Sequence, residues 1–261
     1  MEFREPRIFH VGQTSADETG IAEYLKYIAA PDWKTDAATG AEKVVEVMGR
    51  TCYMSFDKKL NPNLTRVREG SETYLKNILA SKHGSVVEHA TDSYMIFCSR
   101  AVTHQIVRTR VGTSFSQQSL HYLRLESLRS SLPRAFEEHP RAGEIRALYK
   151  STFERLEATQ LELAKILDIN TQPFHTKKAL TTGMRRLAPI GLETILGMTA
   201  NHRSFRWMIE QRTSRFNDSE IRQVFGLIFT EQAKRYPALY SDAEVALVEG
   251  YDEITFANSK V

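Results

Sequence analysis

Three short segments of the chain concentrate side chains that are able to bind or activate a ligand. They are HGSVVEH at residues 83–89, QIVRTRVGTSFSQQSLHY at residues 105–122 and ANHRSFRWMIEQRTSRF at residues 200–216. Arginine, serine and glutamine are natural donors to phosphate groups and to the polar edge of a planar heterocycle. Together the three segments therefore indicate a phosphorylated ligand with such a ring.

The third segment places one arginine on an apolar helix face. Phe205, Met208, Ile209 and Arg212 follow one another at i, i+3, i+4 and i+7. An arginine in such a stripe either extends its head group to solvent or binds an anion or a polar ring. Arg212 is therefore a candidate functional residue.

Each segment also has an ordinary structural interpretation. Arg108 and Arg110 can be solvated or salt-bridged side chains at a helix end. His83, Glu88 and His89 can bond the backbone of a helix-to-strand turn. No single segment decides between the two interpretations, and only their combination favours a ligand site.

Several kinds of chemistry have no signature in the sequence. There is no GxGxxG motif after a strand and no GxxxxGK[ST] loop. His83 and His89 are six residues apart, which is not the i, i+4 spacing of two zinc ligands on a helix, so no metal site is predicted. Cys52 and Cys98 lack a CxxC context, and we expect both to be small core residues in a reducing compartment.

The composition excludes further classes of protein. The 261 residues are 41% apolar and 26% charged, and 35 Lys and Arg against 32 Asp and Glu give a net charge of +3. This bias is too weak to indicate nucleic acid. No apolar run approaches the roughly 20 residues of a membrane span, and the polar N-terminus is unlike a signal peptide. We therefore expect a cytoplasmic protein with neither nucleic acid nor membrane as its partner.

The elements that must position the three segments form a helix-rich α+β pattern. Periodicity predicts helices over residues 41–52, 71–82, 99–110, 143–168, 175–187, 203–213 and 218–235. It predicts strands over residues 90–98 and 193–200. Residues 1–40 are expected to be an irregular extension of a single domain at 41–261. Residues 111–131 are expected to be polar turns, and the tail after Pro237 is left unassigned.

In order along the chain, the segments resemble motifs of the flavin-dependent thymidylate synthases. That family carries Arg-His-Arg, then Ser after seven residues, and an Arg beyond it. This chain has Arg108-Thr109-Arg110, Ser119 after eight residues, and His121 in place of the last Arg. Thr109 thus stands where the family has histidine.

Further matches cover about residues 41–235. The family motif H-x-T-x-x-E-H resembles residues 83–89, and the family's glutamine before the first arginine resembles Gln105. The family regions A-R-x-x-L-P and N-x-R-S resemble residues 184–189 and 201–204. A second arginine, nine residues beyond Arg203, is Arg212.

The resemblance implies a small, mainly antiparallel sheet and a homotetramer with active sites at subunit interfaces. It implies transfer of a one-carbon unit from methylenetetrahydrofolate to C5 of dUMP, giving dTMP. Reduced FAD would supply the hydride, and NADPH would reduce the flavin. Such chemistry needs no cysteine nucleophile, and the protein's own task is orientation and electrostatics.

The resemblance also assigns roles to individual residues. It implies cofactor contacts from Ser85, Glu88, Arg108, Arg110, Asn201, Arg203 and Trp207. It implies nucleotide contacts from Gln105, Arg108, Gln117, Gln118, Ser119, His121, Arg185 and Arg212. Arg212 would polarise a pyrimidine carbonyl, and His83 would handle protons or folate access. Trp207 and Phe216 would supply aromatic surface for stacking on the cofactor.

Three alternatives remain open from the sequence. The same chemistry can act on UMP or on a modified pyrimidine nucleotide, because residues 116–121 depart from the family pattern. The chain can also be a catalytically inactive paralogue that still binds nucleotide. The third alternative is an RNA- or DNA-binding module that uses Arg100, Arg108, Arg110, Arg124 and Arg129, with Tyr122 as an aromatic platform.

Overall fold

A four-stranded antiparallel sheet lies at the centre of the computed structural model, which describes residues 1–121 and 129–259. In order across the sheet, its strands are β2 (Arg7–Gln13), β3 (Thr91–Ser99), β6 (Glu193–Asn201) and β4 (Thr113–Gln117). Each neighbouring pair is antiparallel. The prediction of an α+β fold with a small, mainly antiparallel sheet is confirmed.

The two central strands owe their place to alternating apolar residues. In β3, Tyr94 and Ile96 are buried, and they lie opposite Met198 and Leu196 of β6 in the strand register. Because side chains alternate between the faces of a strand, these residues cover one face of the sheet with an apolar layer. Helical side chains such as Phe205 pack on this layer.

The helices surround this sheet. They are α1 (Glu18–Tyr27), α2 (Gly40–Tyr53), α3 (Ser71–Ala80), α4 (Arg100–Ile106), α5 (Arg134–Glu137), α6 (Ala142–Ile166), α7 (Phe174–Met184), α8 (His202–Thr213) and α9 (Ser219–Arg235). Short 3₁₀ turns occupy Lys58–Leu60, Gly84–His89 and Arg185–Leu187. Further strands are β1 (Glu2–Phe3), β5 (Arg129–Ser130), β7 (Ala243–Val248) and β8 (Tyr251–Phe256). The helices and strands predicted from periodicity are all present, with ends that shift by a few residues.

Short polar residues fix where the helices near the sheet begin. Ser99 Oγ accepts a hydrogen bond from the Val102 amide at the start of α4. Asn201 Oδ1 accepts one from the Ser204 amide at the start of α8. Each residue satisfies a main-chain N–H group that the first helical turn leaves unpaired. Strand β3 therefore leads directly into α4, and strand β6 directly into α8.

Three expectations from the sequence were wrong. Residues 1–40 are not irregular, because β2 pairs with β3 and α1 follows it. The polar segment 111–131 contains β4, which satisfies its backbone along β6. Cys52 is exposed rather than in the core, whereas Cys98 is buried. The apolar side of α6 is covered only in part, since Phe153 is 4% exposed and Leu148 is 70% exposed.

A buried ion pair joins α8 to the chain that follows α9. Arg206 is 1% exposed, and it donates hydrogen bonds to Asp242 Oδ1 at 2.7 Å and Oδ2 at 2.9 Å. It also donates to the Leu239 carbonyl and packs over the Phe256 ring. Burial raises the pKa of Asp242, but the hydrogen bonds and charge of Arg206 outweigh it, so the net pKa lies below its usual value.

Among residues 1–121 and 129–259, no helix is long and apolar enough to cross a membrane.

We predict that Asp242→Asn lowers the free energy of unfolding by about 3 kcal/mol, because it leaves the buried Arg206 charge uncompensated. The measurement is denaturant unfolding at neutral pH. Since the folded pKa of Asp242 is depressed, its contribution is present above the unfolded pKa near ~4 and is lost as the pH falls through the folded value. Asp252→Asn, at an exposed position of β8, is the matched control and should change stability by less than about 0.5 kcal/mol. Equal losses in both variants would contradict the prediction.

Candidate active site

A cavity of about 650 Å³ opens where the loop after α4 meets the first turn of α8. It is lined by Glu88, Arg108, Thr109, Arg110, Val111, Gly112, Asn201, Arg203, Ser204, Trp207 and Ser259. Six of the seven residues predicted to contact a cofactor are in this lining. The seventh, Ser85, is exposed on the 3₁₀ turn that also carries Glu88.

Hydrogen bonds hold the α4 loop against the start of α8. The Asn201 amide donates to the Gly112 carbonyl at 3.1 Å, and Ser204 Oγ donates to the Val111 carbonyl at 2.8 Å. Gly112 has a φ of 64°, and a Cβ atom there would overlap Asn201 Nδ2 and Ser204 Oγ. Glycine is therefore required for this close approach.

The lining of the cavity is positively charged. It contains three arginines and one carboxylate, and Arg203 Nη1 donates to Glu88 Oε1 at 2.5 Å. The N-terminus of α8 also opens onto the cavity, and unpaired N–H groups and the helix dipole favour anions there. Trp207 is 46% exposed and adds an aromatic surface. The cavity therefore suits an anionic ligand with an aromatic ring.

A second basic cluster lies at the other end of α4. Arg100 Nη1 is buried and has no hydrogen-bond partner in the part of the chain that the structure describes. Burial and the neighbouring charge of Arg185 lower the pKa of Arg100. Two arginines that lie close together form a site that an anion would neutralise.

His121 belongs to this second cluster. Its Nδ1 lies 2.6 Å from Thr182 Oγ1, and its Nε2 is bonded by Arg185 Nη1. Desolvation and the charges of Arg185 and Lys178 lower the pKa of His121. A neutral imidazole fits these partners, because Nε2 then accepts from Arg185 while Nδ1–H donates to Thr182.

Arg212 lies at the end of α4 that faces the first cavity. Its Nη2 donates to the Gln105 carbonyl at 3.3 Å, and its buried Nε has no partner among the described residues. Burial and the charge of Arg108 lower the pKa of Arg212. Arg212 is therefore partly buried, lies near a like charge and has an Nε–H donor without a partner among the described residues. These properties are typical of a group that binds an electron-rich ligand.

The remaining residues predicted to contact the nucleotide lie at the end of strand β4 and in the turn after it. Gln117 Nε2 donates to Thr103 Oγ1 at 2.9 Å, and the Gln118 amide donates to the Ile195 carbonyl. Ser119 Oγ accepts from the His121 amide at 3.2 Å. Strand β4 thus directs this segment toward α4 and the second cluster.

The described chain does not bring all the predicted residues together. His83 lies in a different cavity, stacked on the Tyr53 ring at a centroid distance of 5.8 Å. Helix α4 separates Arg100 from the Arg108 end by about 10 Å, from its rise per residue. Phe216 is 91% exposed and outside the lining of the first cavity. A single chain therefore presents its candidate residues as three separate groups.

The sequence left some residues of these groups without a role. Arg100 entered only the nucleic-acid alternative, although its place directly after a strand and eight residues before Arg108 could have linked it to the α4 group. Gly112 and Ser204 were not singled out, and only contacts across the fold identify them. Tyr122 and Arg124, also named in that alternative, lie outside the described residues. Among the described residues, no group of three or more His, Cys, Asp or Glu could hold a metal ion.

Comparisons with known proteins agree with this geometry. The family described as "Thymidylate synthase complementing protein" matches residues 35–238. A flavin-dependent thymidylate synthase of Mycobacteroides abscessus is 31% identical over 242 residues, which cover 88% of this chain and 91% of the relative. One of Mycobacterium tuberculosis is 33% identical over 236 residues, covering 87% and 90%.

A solved structure shares the fold. It is the UMP/dUMP methylase PolB from Streptomyces cacaoi bound with 5-Br dUMP, with a TM-score of 0.63, 16% identity and coverage of 92% of this chain and 96% of that chain. The match to the family over most of the sequence, together with relatives above 30% identity, identifies the chain. It belongs to the family of the flavin-dependent thymidylate synthases.

Proposed function

We propose that the protein methylates C5 of a pyrimidine nucleotide, converting dUMP to dTMP, with methylenetetrahydrofolate as carbon donor and FAD as cofactor. The observation that carries the proposal is the cavity in which six residues from three distant segments meet. Family membership names the cofactor and the reaction type. NADPH would be the reductant of the flavin, and we expect a cytoplasmic location.

The cavity of about 650 Å³ suits a flavin cofactor in the charge and the aromatic surface of its lining. Arg108, Arg110 and the start of α8 would hold the phosphates, because they offer positive charge and main-chain donors. Trp207 would pack against a ring system. When bound and reduced, the flavin supplies the hydride. The protein's own residues would position the cofactor.

The two arginine groups would hold the nucleotide. Arg212 would donate to a pyrimidine carbonyl, and this polarisation makes C5 more nucleophilic. Arg100 and Arg185 would bind the phosphate with His121 beside them, since the two guanidinium groups place positive charge at one end of α4. Gln105 and Ser119 would add polar contacts to the base and sugar.

UMP is the second candidate substrate. His121 stands where the family has arginine, and the segment before it is one residue longer than the family pattern. The structural neighbour PolB is described as a UMP/dUMP methylase. Histidine is shorter than arginine, so this difference leaves more space near the sugar, which favours tolerance of a 2′-hydroxyl.

The complete site would form in a homotetramer. In one chain the candidate residues fall into three groups, and apolar residues on helices α6 and α7 and beyond are uncovered: Leu148, Ile166, Phe174 and Ile190 are 70%, 69%, 63% and 61% exposed. Association would bury this surface and bring groups of different chains together.

The first experiment is a visible absorption titration of the purified protein with dUMP and then with UMP. We predict that the protein binds FAD and that dUMP shifts the flavin bands, because the nucleotide groups lie beside the flavin cavity. An equal shift of the flavin bands with UMP would make UMP as strong a substrate candidate as dUMP. A protein that cannot be loaded with FAD would refute the proposal and leave a nucleotide-binding function.

We predict that Arg212→Gln lowers kcat by about 10² to 10³, as loss of one donor to a developing negative charge does. The flavin content should be unchanged, because Arg212 does not line the flavin cavity. Single-turnover oxidation of reduced enzyme measures the effect. Arg215→Gln, on an exposed arginine paired with Glu253, is the control. Wild-type turnover in R212Q would remove Arg212 from the mechanism.

His121 should make nucleotide binding depend on pH. Its lowered pKa leaves the free imidazole neutral near pH 7, and a bound phosphate dianion would raise that pKa. Binding therefore takes up a proton, and the Kd for dUMP should fall as the pH falls from about 7.5 to about 6.5. The measurement is the flavin difference spectrum at each pH.

The matched variant is His121→Gln, which keeps a polar side chain but does not titrate. It should lose this pH dependence and retain only the part caused by the second ionisation of the phosphate, near about pH 6. The same slope in both proteins would show that His121 does not sense the phosphate.

A further inference from the structure

A second cavity, of about 260 Å³, lies between α2, the loop of residues 54–70 and α3. It is lined by Arg50, Tyr53, Ser55, Leu64, Arg66, Arg68, Tyr74, Asn77, Ile78, Ser81 and His83. None of these residues except His83 has a place in the proposed function. The cavity is therefore a separate concave surface, and the chemistry of its own lining residues indicates what it could bind.

The lining carries three arginines and a histidine but no carboxylate. Arg50 is buried and fully used, because it pairs with Glu46 and donates to the Ser55 and Arg68 carbonyls, each at 2.9 Å. The side chains of Arg66 and Arg68 form no ion pair among the described residues. Two arginines therefore remain available to a ligand.

The position of these arginines is fixed by the fold. Arg50 holds the two ends of the loop together through the Ser55 and Arg68 carbonyls, and its guanidinium lies over the Tyr74 ring at 4.3 Å. These bonds use main-chain oxygens of the loop. The loop is thus anchored to α2 whatever side chains it carries, and it presents Arg66 and Arg68 at the cavity.

The cavity lies at one end of the segment that leads to the flavin cavity. His83 lines the basic cavity, and Glu88, at the other end of the 3₁₀ turn, lines the flavin cavity. At about 2 Å per residue, this turn separates the two by about 10 Å. An elongated molecule with its reactive end at the flavin can therefore span the distance to the basic cavity.

We propose that this basic cavity is an anion subsite, in which Arg66 and Arg68 bind the negatively charged tail of a co-substrate whose reactive end lies at the flavin cavity. The inference rests on the proposed function for the identity of the co-substrate. The tail of a folate ends in glutamate carboxylates, and that of NADPH carries phosphates. Both are anions that arginine binds through two parallel hydrogen bonds.

The folate tail is the better fit to the cavity. Each added glutamate contributes a carboxylate on a flexible chain, which matches two neighbouring arginines in a narrow space. A dinucleotide is bulkier than a cavity of about 260 Å³ accommodates, so only its phosphate end would enter. Exposed arginines on a convex surface would remain solvated, whereas these line a concave surface whose lining residues include no carboxylate.

The test compares Arg66→Gln/Arg68→Gln with Lys58→Gln/Lys59→Gln. Both variants remove two positive charges from the same loop, but the two lysines do not line the cavity. Neither variant removes the carbonyl at residue 68 that Arg50 bonds, so the loop anchor is retained. Binding of tetrahydrofolate with one or four glutamates is measured by calorimetry, and free tetra-γ-glutamate is a probe that needs no flavin.

We expect the wild type and the lysine variant to bind the tetraglutamate form about tenfold more tightly than the monoglutamate form, as charge-assisted hydrogen bonds predict. The arginine variant should lose this difference and bind the monoglutamate as the wild type does. Free tetra-γ-glutamate should bind the wild type and not the arginine variant, and added salt should weaken its binding.

A second comparison distinguishes the two sources of negative charge. If the arginine variant raises the KM for NADPH but not for NADH and treats both folates alike, the subsite binds the 2′-phosphate on the adenosine ribose of NADPH. If it binds both folates, NADPH, NADH and tetra-γ-glutamate as the wild type does, the proposal is wrong. Flavin loading and the dUMP titration are read on the same preparations. Their failure alone would overturn the proposed function, while the tetra-γ-glutamate result would still decide on the anion subsite.

Discussion

The close contact between Gly112 and the first turn of α8 is the constraint on which the candidate site depends. It brings the end of the α4 loop, with Arg108 and Arg110, against the N-terminus of α8. Because β3 leads directly into α4 and β6 directly into α8, the central sheet sets the distance between the two helices. A change in strand register would therefore move the arginines relative to Asn201, and the cavity would lose its shape.

The fold treats its buried arginines in two different ways. Arg206 and Arg50 each form an ion pair with a carboxylate and donate hydrogen bonds to main-chain carbonyls. Both arginines join segments that are distant in sequence. Arg100 and Arg212 lie near other arginines, with a buried nitrogen that the described residues leave without a partner. Such groups cost stability in the free protein. A bound anion would recover that cost, so ligand binding should stabilise the protein through mass action.

Much of the helical framework could be predicted from the sequence, and the reasons are physical. Helix α9 has an N-cap at Asp218 and a regular apolar stripe. Strand β3 is rich in β-branched and aromatic residues and is shorter than a typical helix, so it too carries its own signal. Strand β4 does not, because TSFSQ is polar and becomes a strand only through its pairing with β6. The N-terminal strand β2 was missed because its partly buried positions, Ile8, His10 and Gly12, form no apolar stripe, whereas its apolar Phe9 and Val11 are exposed.

The site was predictable only in part. Glu88, Arg108, Asn201 and Arg203 were named from motifs, and the structure gathers them in one cavity. The proximity of Arg100 to Arg185 and of Arg108 to Arg212 depends on contacts across the fold, and no local spacing encodes it.

The anchoring of the loop by Arg50 has a consequence for how this part of the molecule can change over evolutionary time. The two carbonyls that Arg50 bonds mark the ends of the loop, so insertions and deletions between them leave the anchor intact. Lengthening a closed loop costs little, because the entropy of closure grows only with the logarithm of its length. The segment between residues 55 and 68 can therefore vary in length and charge while the sheet and the flavin cavity stay the same. Such a replaceable module would allow related enzymes to diversify their outer contacts without rebuilding the catalytic centre.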